Sequence, residues 1–166
     1  MARGQIDAAV TLSVLDRLID QDPRSSSEAP LQRAQAVRQL KNAVKRDLEW
    51  LLNNRRIADE PPEALREVSR SLYTYGLPDF SAYNIGSDRD KTRLVRVLQA
   101  SIKLFEPRLA NVRVVPVEVT STGARKVRFR IEGLLLMDPA PEHVSFDTVL
   151  QLNNGEYQVK GEADAG

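Results

Sequence analysis

Few residues in this sequence are equipped for chemistry, and the best placed of them is a carboxylate. Glu106 lies in Phe105-Glu106-Pro107-Arg108-Leu109, with apolar neighbours on both sides. Apolar surroundings strip water from a carboxyl and favour its neutral form, which is how a general acid is made. Glycoside hydrolysis would need a second carboxylate, about 5 Å away for retention or roughly 6.5–9.5 Å away for inversion. Asp79, Glu118 and Asp147 are available, and nothing in the sequence selects one. Arg108 offers the competing reading. A guanidinium fork matches a carboxylate bidentately, so Glu106 and Arg108 read first as a structural ion pair or a docking charge.

Other chemistries are closed off by composition. Cysteine is absent, which excludes disulfides, thiolate metal sites and cysteine nucleophiles, and suits a reducing cytoplasm. His143 is the sole histidine and lies in a loop before a strand, so multi-histidine metal sites are excluded too. Neither standard glycine-rich phosphate loop occurs, nor does a Gly-x-Ser-x-Gly elbow. The expectation is no catalytic residue, no metal and no cofactor. Lys and Arg number 24 against 23 Asp and Glu, a net charge of +1, so no global field draws the chain to nucleic acid or anionic lipid. Arg38, Lys41, Lys45 and Arg46 form a basic face on one helix, which reads as solvated. Docking of an acidic partner, or of nucleic acid along 33–56, is the alternative.

The elements that position these residues follow from length and periodicity. The 166 residues suit one domain, able to bury roughly 70% of its unfolded surface. With 42% apolar and 28% charged residues the composition is that of a soluble globular protein. No signal-peptide pattern opens the chain, and Leu134 to Met137 is far short of the ~20 apolar residues of a membrane span. Residues 10–22 predict a short helix capped by Ser13, followed by a Ser- and Pro-rich loop over 22–30. Its four large apolar residues, Val14, Leu15, Leu18 and Ile19, must lie on this core or on a partner.

Val37, Leu40, Val44, Leu48 and Leu51 form one stripe of a helix over 31–53, closed by Asn53-Asn54-Arg55-Arg56 with an Asn in left-handed geometry. Trp50 near its end reads as core or interface. Pro61-Pro62-Glu63 predicts a second helix start, with Leu65, Val68, Leu72 and Tyr75 as its stripe and Gly76 as its C-cap. Leu77 and Phe80 fold the following loop back on the core. Ser87-Asp88-Arg89-Asp90 opens a third helix with Leu94, Leu98, Ile102 and Phe105 inward, ended by Pro107.

Beyond Pro107 the period becomes two. The first strand, 112–119, has Val115, Val117 and Val119 on one face, Val112 and Val114 on the other, a bulge at Val114-Val115, and Pro116 marking it as an edge strand. Turns follow at 121–123 and 153–155. Between them lie a strand with Val127, Phe129 and Ile131 inward, prolonged by Leu134 to Met137, and a strand alternating from Val144 to Leu152. Tyr157 to Val159 is the return strand. Helices first and strands after predict an α+β fold: N-terminal helices packed on one face of a C-terminal antiparallel sheet of three to four strands. The expected organisation is an arm and loop over 1–30, one domain over 31–160 and a disordered tail over 161–166.

Four segments occur in an order that resembles a known family: Ser13-Val14-Leu15-Asp16-Arg17-Leu18, Arg46 to Arg56, Tyr75-Gly76-Leu77-Pro78-Asp79-Phe80, and Phe105-Glu106-Pro107-Arg108-Leu109. Together they are similar to TssE, the baseplate subunits of bacterial type VI secretion systems, themselves similar to the small wedge protein of contractile phage tails. The resemblance implies assembly rather than catalysis, despite an old "lysozyme-like" label. It implies wedge partners TssF, TssG and TssK, the sheath proteins TssB and TssC, and the Hcp tube and VgrG spike. The place implied is the cytoplasm, at a baseplate docked on the inner membrane. Glu106, Pro107 and Arg108 map to a motif tied to core packing and sheath initiation, and the C-terminal strands to an edge that sheath strands join. Asp79, Phe80, Arg55 and Arg56 are the further interface residues carried by these segments. The alternative is a peptidoglycan-cleaving hydrolase with Glu106 as its acid.

Overall fold

A computed structural model describes residues 13–19, 33–80, 83, 87–117, 126–151 and 156–161. Helix α1 spans Val14–Leu18, α2 spans Arg33–Asn53 and α3 spans Asp88–Phe105. Four strands follow: β1 Leu109–Val117, β2 Lys126–Leu135, β3 Glu142–Gln151 and β4 Glu156–Gly161. They form one antiparallel sheet in the order β1-β2-β3-β4. The fold is α+β, as the order of periodicities predicts. The turns at 121–123 and 153–155, the 22–30 loop and residues 162–166 lie outside the described residues, as do Glu118, Val119 and Leu152.

The core fills one face of the sheet. Helix α2 lies over β4 and α3 over β1. Leu40, Val44, Leu48 and Leu51 of α2 and Leu94, Leu98 and Ile102 of α3 are buried, the residues the helical stripes select. Opposite them stand Phe129, Ile131 and Leu135 of β2, Val144, Phe146 and Leu150 of β3, and Tyr157 and Val159 of β4. The other face is charged. There Arg130 Nε donates to Asp147 at 2.9 Å and Arg128 lies 3.6 Å from the same carboxylate, with the cations outward as the alternation predicts.

In β1 the two sets of valines separate as expected, but the bulge lies elsewhere. Leu109, Val112 and Val114 are buried, while Val115 and Val117 are only half-buried. The register shift falls between Ala110 and Arg113, not at Val114-Val115, and Asn111 takes it up with φ 53°. Asparagine tolerates this left-handed geometry better than most residues. One residue of shift exchanges the two faces of a strand, and the expected bulge lies about three residues too late in the chain. Pro116 sits on an edge strand, as expected.

The helix expected over 61–75 is absent. Two short 3₁₀ turns stand there instead, Val68–Arg70 and Leu72–Thr74, and Leu65 and Leu72 are exposed. Small hydroxyl side chains compete with the helical ladder here. Ser71 Oγ accepts from the Tyr73 N–H at 3.2 Å and donates to the Val68 carbonyl at 2.8 Å, while Thr74 Oγ1 donates to the Ser69 and Ser71 carbonyls. Gly76 is therefore no helix cap. Its φ of 101° serves a close approach: a Cβ would lie 2.5 Å from the Asn54 carbonyl oxygen. Leu77 N–H donates to that same oxygen and Arg56 N–H to the Leu77 carbonyl, both at 2.8 Å, which stitches the 75–80 loop to the end of α2.

Helix α2 also ends differently from expectation. Neither Asn53 nor Asn54 has positive φ. Asn53 instead uses its amide as a piece of strand: Nδ2 donates to the Tyr157 carbonyl, and Oδ1 accepts from the Tyr157 N–H, each at 2.8 Å. The helix end is thereby fixed to edge strand β4. Asn53→Ala strands both backbone groups of Tyr157 and is expected to cost about 1–3 kcal/mol. Gly76→Ala combines the clash with a left-handed alanine, and its conformational part alone is expected to cost about 1–3 kcal/mol. Urea titration of each variant against the parent checks both.

Candidate functional site

The corner where α3 gives way to β1 is built by three residues in sequence. Glu106 caps α3, its N–H donating to the Ile102 carbonyl at 2.8 Å. Pro107 follows in a tight turn closed by Leu109 N–H to the Glu106 carbonyl at 3.1 Å. Its ring fixes the φ such a turn requires at that position, although the side chain itself is exposed. Arg108 then folds back. Its Nε donates to Glu106 Oε1 at 2.7 Å, its Nη2 to Oε2, and its backbone N–H to Oε1 at 3.2 Å. Glu106 is only 3% exposed, so the fork grips a buried carboxylate.

The pair does not stand alone. Arg108 Nη2 also donates to Asp47 Oδ2 at 2.6 Å, across 61 positions of sequence. Asp47 Oδ1 accepts from Arg46 Nε at 3.0 Å and Nη2 at 2.8 Å. Arg46 Nη2 reaches on to Asp16 of α1 at 2.9 Å, and Asp16 Oδ2 lies 4.0 Å from Arg108 Nη1. Two guanidinium groups and three carboxylates thus join α1, α2 and the α3–β1 corner. Arg108 Nη1 is buried without a hydrogen-bond partner of its own.

These contacts decide the protonation states. Hydrogen bonding to Glu106, against the cost of desolvation, drives the Arg108 guanidinium above its ordinary pKa. Burial alone would raise the Asp16 carboxyl. Hydrogen bonds from Ser13 and Arg46, with the charges of Arg46 and Arg108, outweigh that and hold it below the usual carboxylate value. Tyr75 packs edge-on against Phe105 with centroids 5.2 Å apart, and its phenol is pushed up by burial and then by the charges of Asp47 and Glu106. The 75–80 loop is thereby placed beside the corner.

Among the described residues, neither Asp79 nor Asp147 is brought beside Glu106 as a second carboxylate. Both oxygens of Glu106 are held by Arg108, so neither is free to deliver a proton to a sugar. Asp147 stands on the opposite face of the sheet, paired with Arg130. Asp79 is exposed on its loop, and Glu118 lies outside the described residues. Among the described residues no group of three or more His, Asp or Glu is placed to hold a metal ion.

Of the other interface candidates, Phe80 is half-buried and edge-on to Tyr83 at 5.3 Å. Arg55 is exposed and bridged to Leu77, and Arg56 is half-buried. Neither arginine joins the charge cluster, whereas Asp16, Arg46 and Asp47 do. Charge type and helical spacing miss those three. The basic face is likewise less solvated than its composition implies, because Arg46 is committed to Asp16 and Asp47, and Lys41 to Glu142 at 2.7 Å.

A family model described as baseplate wedge protein gp25 matches residues 38–140, well over half of the chain. The chain belongs to the gp25 family of baseplate wedge proteins. TssE subunits are members of this family, and its role is structural, as a component of baseplates. No curated protein matches the chain. The gp25 match begins inside α2 and ends just past β2. It contains Arg46, Asp47, Glu106 and Arg108 but stops short of Asp16. The described residues contain no helix long and apolar enough to cross a membrane.

Breaking a buried pair from one side leaves an uncompensated charge, so Arg108→Ala is expected to destabilise by about 3–5 kcal/mol in urea titration. The depressed pKa of Asp16 means that its pairing contributes fully above the unfolded carboxylate value and is lost as pH falls through the lower folded value. Arg46 stacks on Trp50, the only tryptophan, at 5.2 Å. Trp50 fluorescence is expected to be flat from about pH 8 to 5 and to change only below about pH 4, and Asp16→Asn should remove that acid step.

Proposed function

We propose that this gp25-family chain is the TssE subunit of a type VI secretion baseplate. In this reading it joins the wedge proteins TssF, TssG and TssK and helps start polymerisation of the TssB–TssC sheath around the Hcp tube, below the VgrG spike. It works in the cytoplasm, at a baseplate docked on the inner membrane, and catalyses no reaction. The observation that carries the reading is the buried cluster at the corner, inside the gp25-matched region. A subunit that sets the angle of other proteins needs a joint that does not flex. The cluster is such a joint: it fixes where α3 ends and the direction in which β1 leaves.

The sheet supports the second half of the reading. Both β1 and β4 are edge strands, and an edge offers main-chain donors and acceptors to an added strand. Pro116 removes a donor from β1, which leaves β4 the better template of the two. At its start β4 is already engaged by Asn53, so an incoming strand would meet its later residues.

Arg108→Lys keeps the charge but loses the bidentate fork. It is expected to fold and to show about tenfold weaker co-purification with TssF and TssG, with fewer sheath foci in cells. Full retention of both by a folded variant would contradict the joint. Purified protein is expected to leave bacterial cell walls intact. Lysis that stops with Glu106→Gln would instead establish the hydrolase.

A further inference from the structure

Helix α1 is inside out. Its one acidic residue, Asp16, has a side chain only 9% exposed, turned into the protein against Arg46. Its aliphatic residues face solvent: Val14 is 72% exposed, Leu15 49%, Leu18 77% and Ile19 45%. A helix docked for its own stability does the reverse and buries the apolar stripe. A five-residue helix also does not form alone in water. This one is held by its ends and one carboxylate: Ser13 Oγ accepts from the Asp16 N–H at 3.1 Å, and the Ile19 N–H donates to the Leu15 carbonyl at 3.1 Å. The anchor therefore presents Val14, Leu15 and Leu18 in helical geometry, with Ile19 extended just past the helix end, without covering them.

The presented surface extends beyond α1. The Arg46 guanidinium that grips Asp16 at 2.9 Å also lies over the Trp50 ring, which is itself 53% exposed. Five exposed apolar side chains make too small a patch for a pair of identical copies, since a stable interface uses about 20–30 residues a side. A short helix with few anchors instead fits the mode in which an amphipathic segment is laid into an apolar groove of a larger protein. The cation beside the patch, Arg46, is already paired within the chain, to Asp16 and Asp47. Arg46 therefore asks no counter-charge of the groove.

We propose that α1 is a preformed clasp whose Val14, Leu15, Leu18 and Ile19 insert into an uncharged apolar groove on a neighbouring baseplate protein. This rests on the baseplate reading above and adds the element that makes the contact and the chemistry of what receives it. Asp16 is a positioning residue in this arrangement. It ties the clasp to the same guanidinium groups that hold the α3–β1 corner, so a partner seated on α1 is fixed relative to the sheet.

The test is binding of the full chain to purified TssF–TssG, with Leu15→Asp/Leu18→Asp as the variant and light scattering and thermal melting alongside. Both leucines face solvent, so the variant is expected to melt with the parent, to be monomeric like it, and to bind at least tenfold more weakly. Should the double variant fail to fold, Leu18→Asp alone carries the same comparison at the most exposed position. Equal binding by parent and folded variant would overturn the clasp and leave the baseplate reading standing. A parent dimer that the variant dissolves would overturn it in favour of a second copy as the occupant. No binding by the parent at all would remove the baseplate reading itself.

Discussion

Arg108 makes one guanidinium serve two carboxylates that the chain keeps far apart in sequence. Glu106 lies two residues away and Asp47 lies in the middle of α2. A planar fork with five donors in fixed geometry can grip both oxygens of one carboxylate and still reach the other, whereas an ammonium has no such bidentate fork. Burying Glu106 at a helix end is costly unless both of its oxygens are matched. Arg108 matches them, and in doing so fixes the distance between α2 and the α3–β1 corner. Two helices and the first strand therefore share one point of reference. The net worth of such a cluster to stability is small, since desolvation offsets much of the attraction. Its value lies in geometry, because the bonds span α1, α2 and the α3–β1 corner.

A second set of contacts ties the helices to the other end of the sheet. Asn53 closes α2 by bonding both backbone groups of Tyr157, which makes the helix end behave as a short fifth strand beside β4. Gly76 lets the 75–80 loop pass close to Asn54, and Tyr75 of that loop packs on Phe105 at the corner. The sheet is thus held at β1 by charge and at β4 by main-chain mimicry. A chain in the gp25 family that serves as a structural piece of a baseplate gains from having both edges placed by the same two helices.

Much of the architecture is legible in residue pattern. The stripes of α2 and α3 read correctly because each buried position repeats at the helical period and the helices are long enough for the signal to dominate. In β2 and β3 strict alternation names the buried face, and Pro116 names an edge. The misreadings have local causes. Over 61–75 the apolar spacing is helical, but Ser71 and Thr74 bond the backbone themselves and break the ladder. In β1 the alternation is real, but a bulge at Asn111 shifts it by one residue, and no residue type announces where a bulge falls. For the site, Glu106 and Arg108 were visible because they are neighbours in sequence. Asp16, Arg46 and Asp47 were not, because only folding brings them within reach.

The sequence by itself determined which faces of the long helices and inner strands are buried, where the helical half ends, and that Glu106 and Arg108 would meet. Those outcomes depend on spacing within one element or across one turn, which the order of residues fixes. Tertiary structure alone decided that Arg108 also bonds Asp47, that Asn53 completes Tyr157, and that α1 turns its charge inward and its aliphatics out. Each of these is a contact between groups separated by long stretches of chain. Its energy depends on distance and burial, and neither is defined until the core has packed.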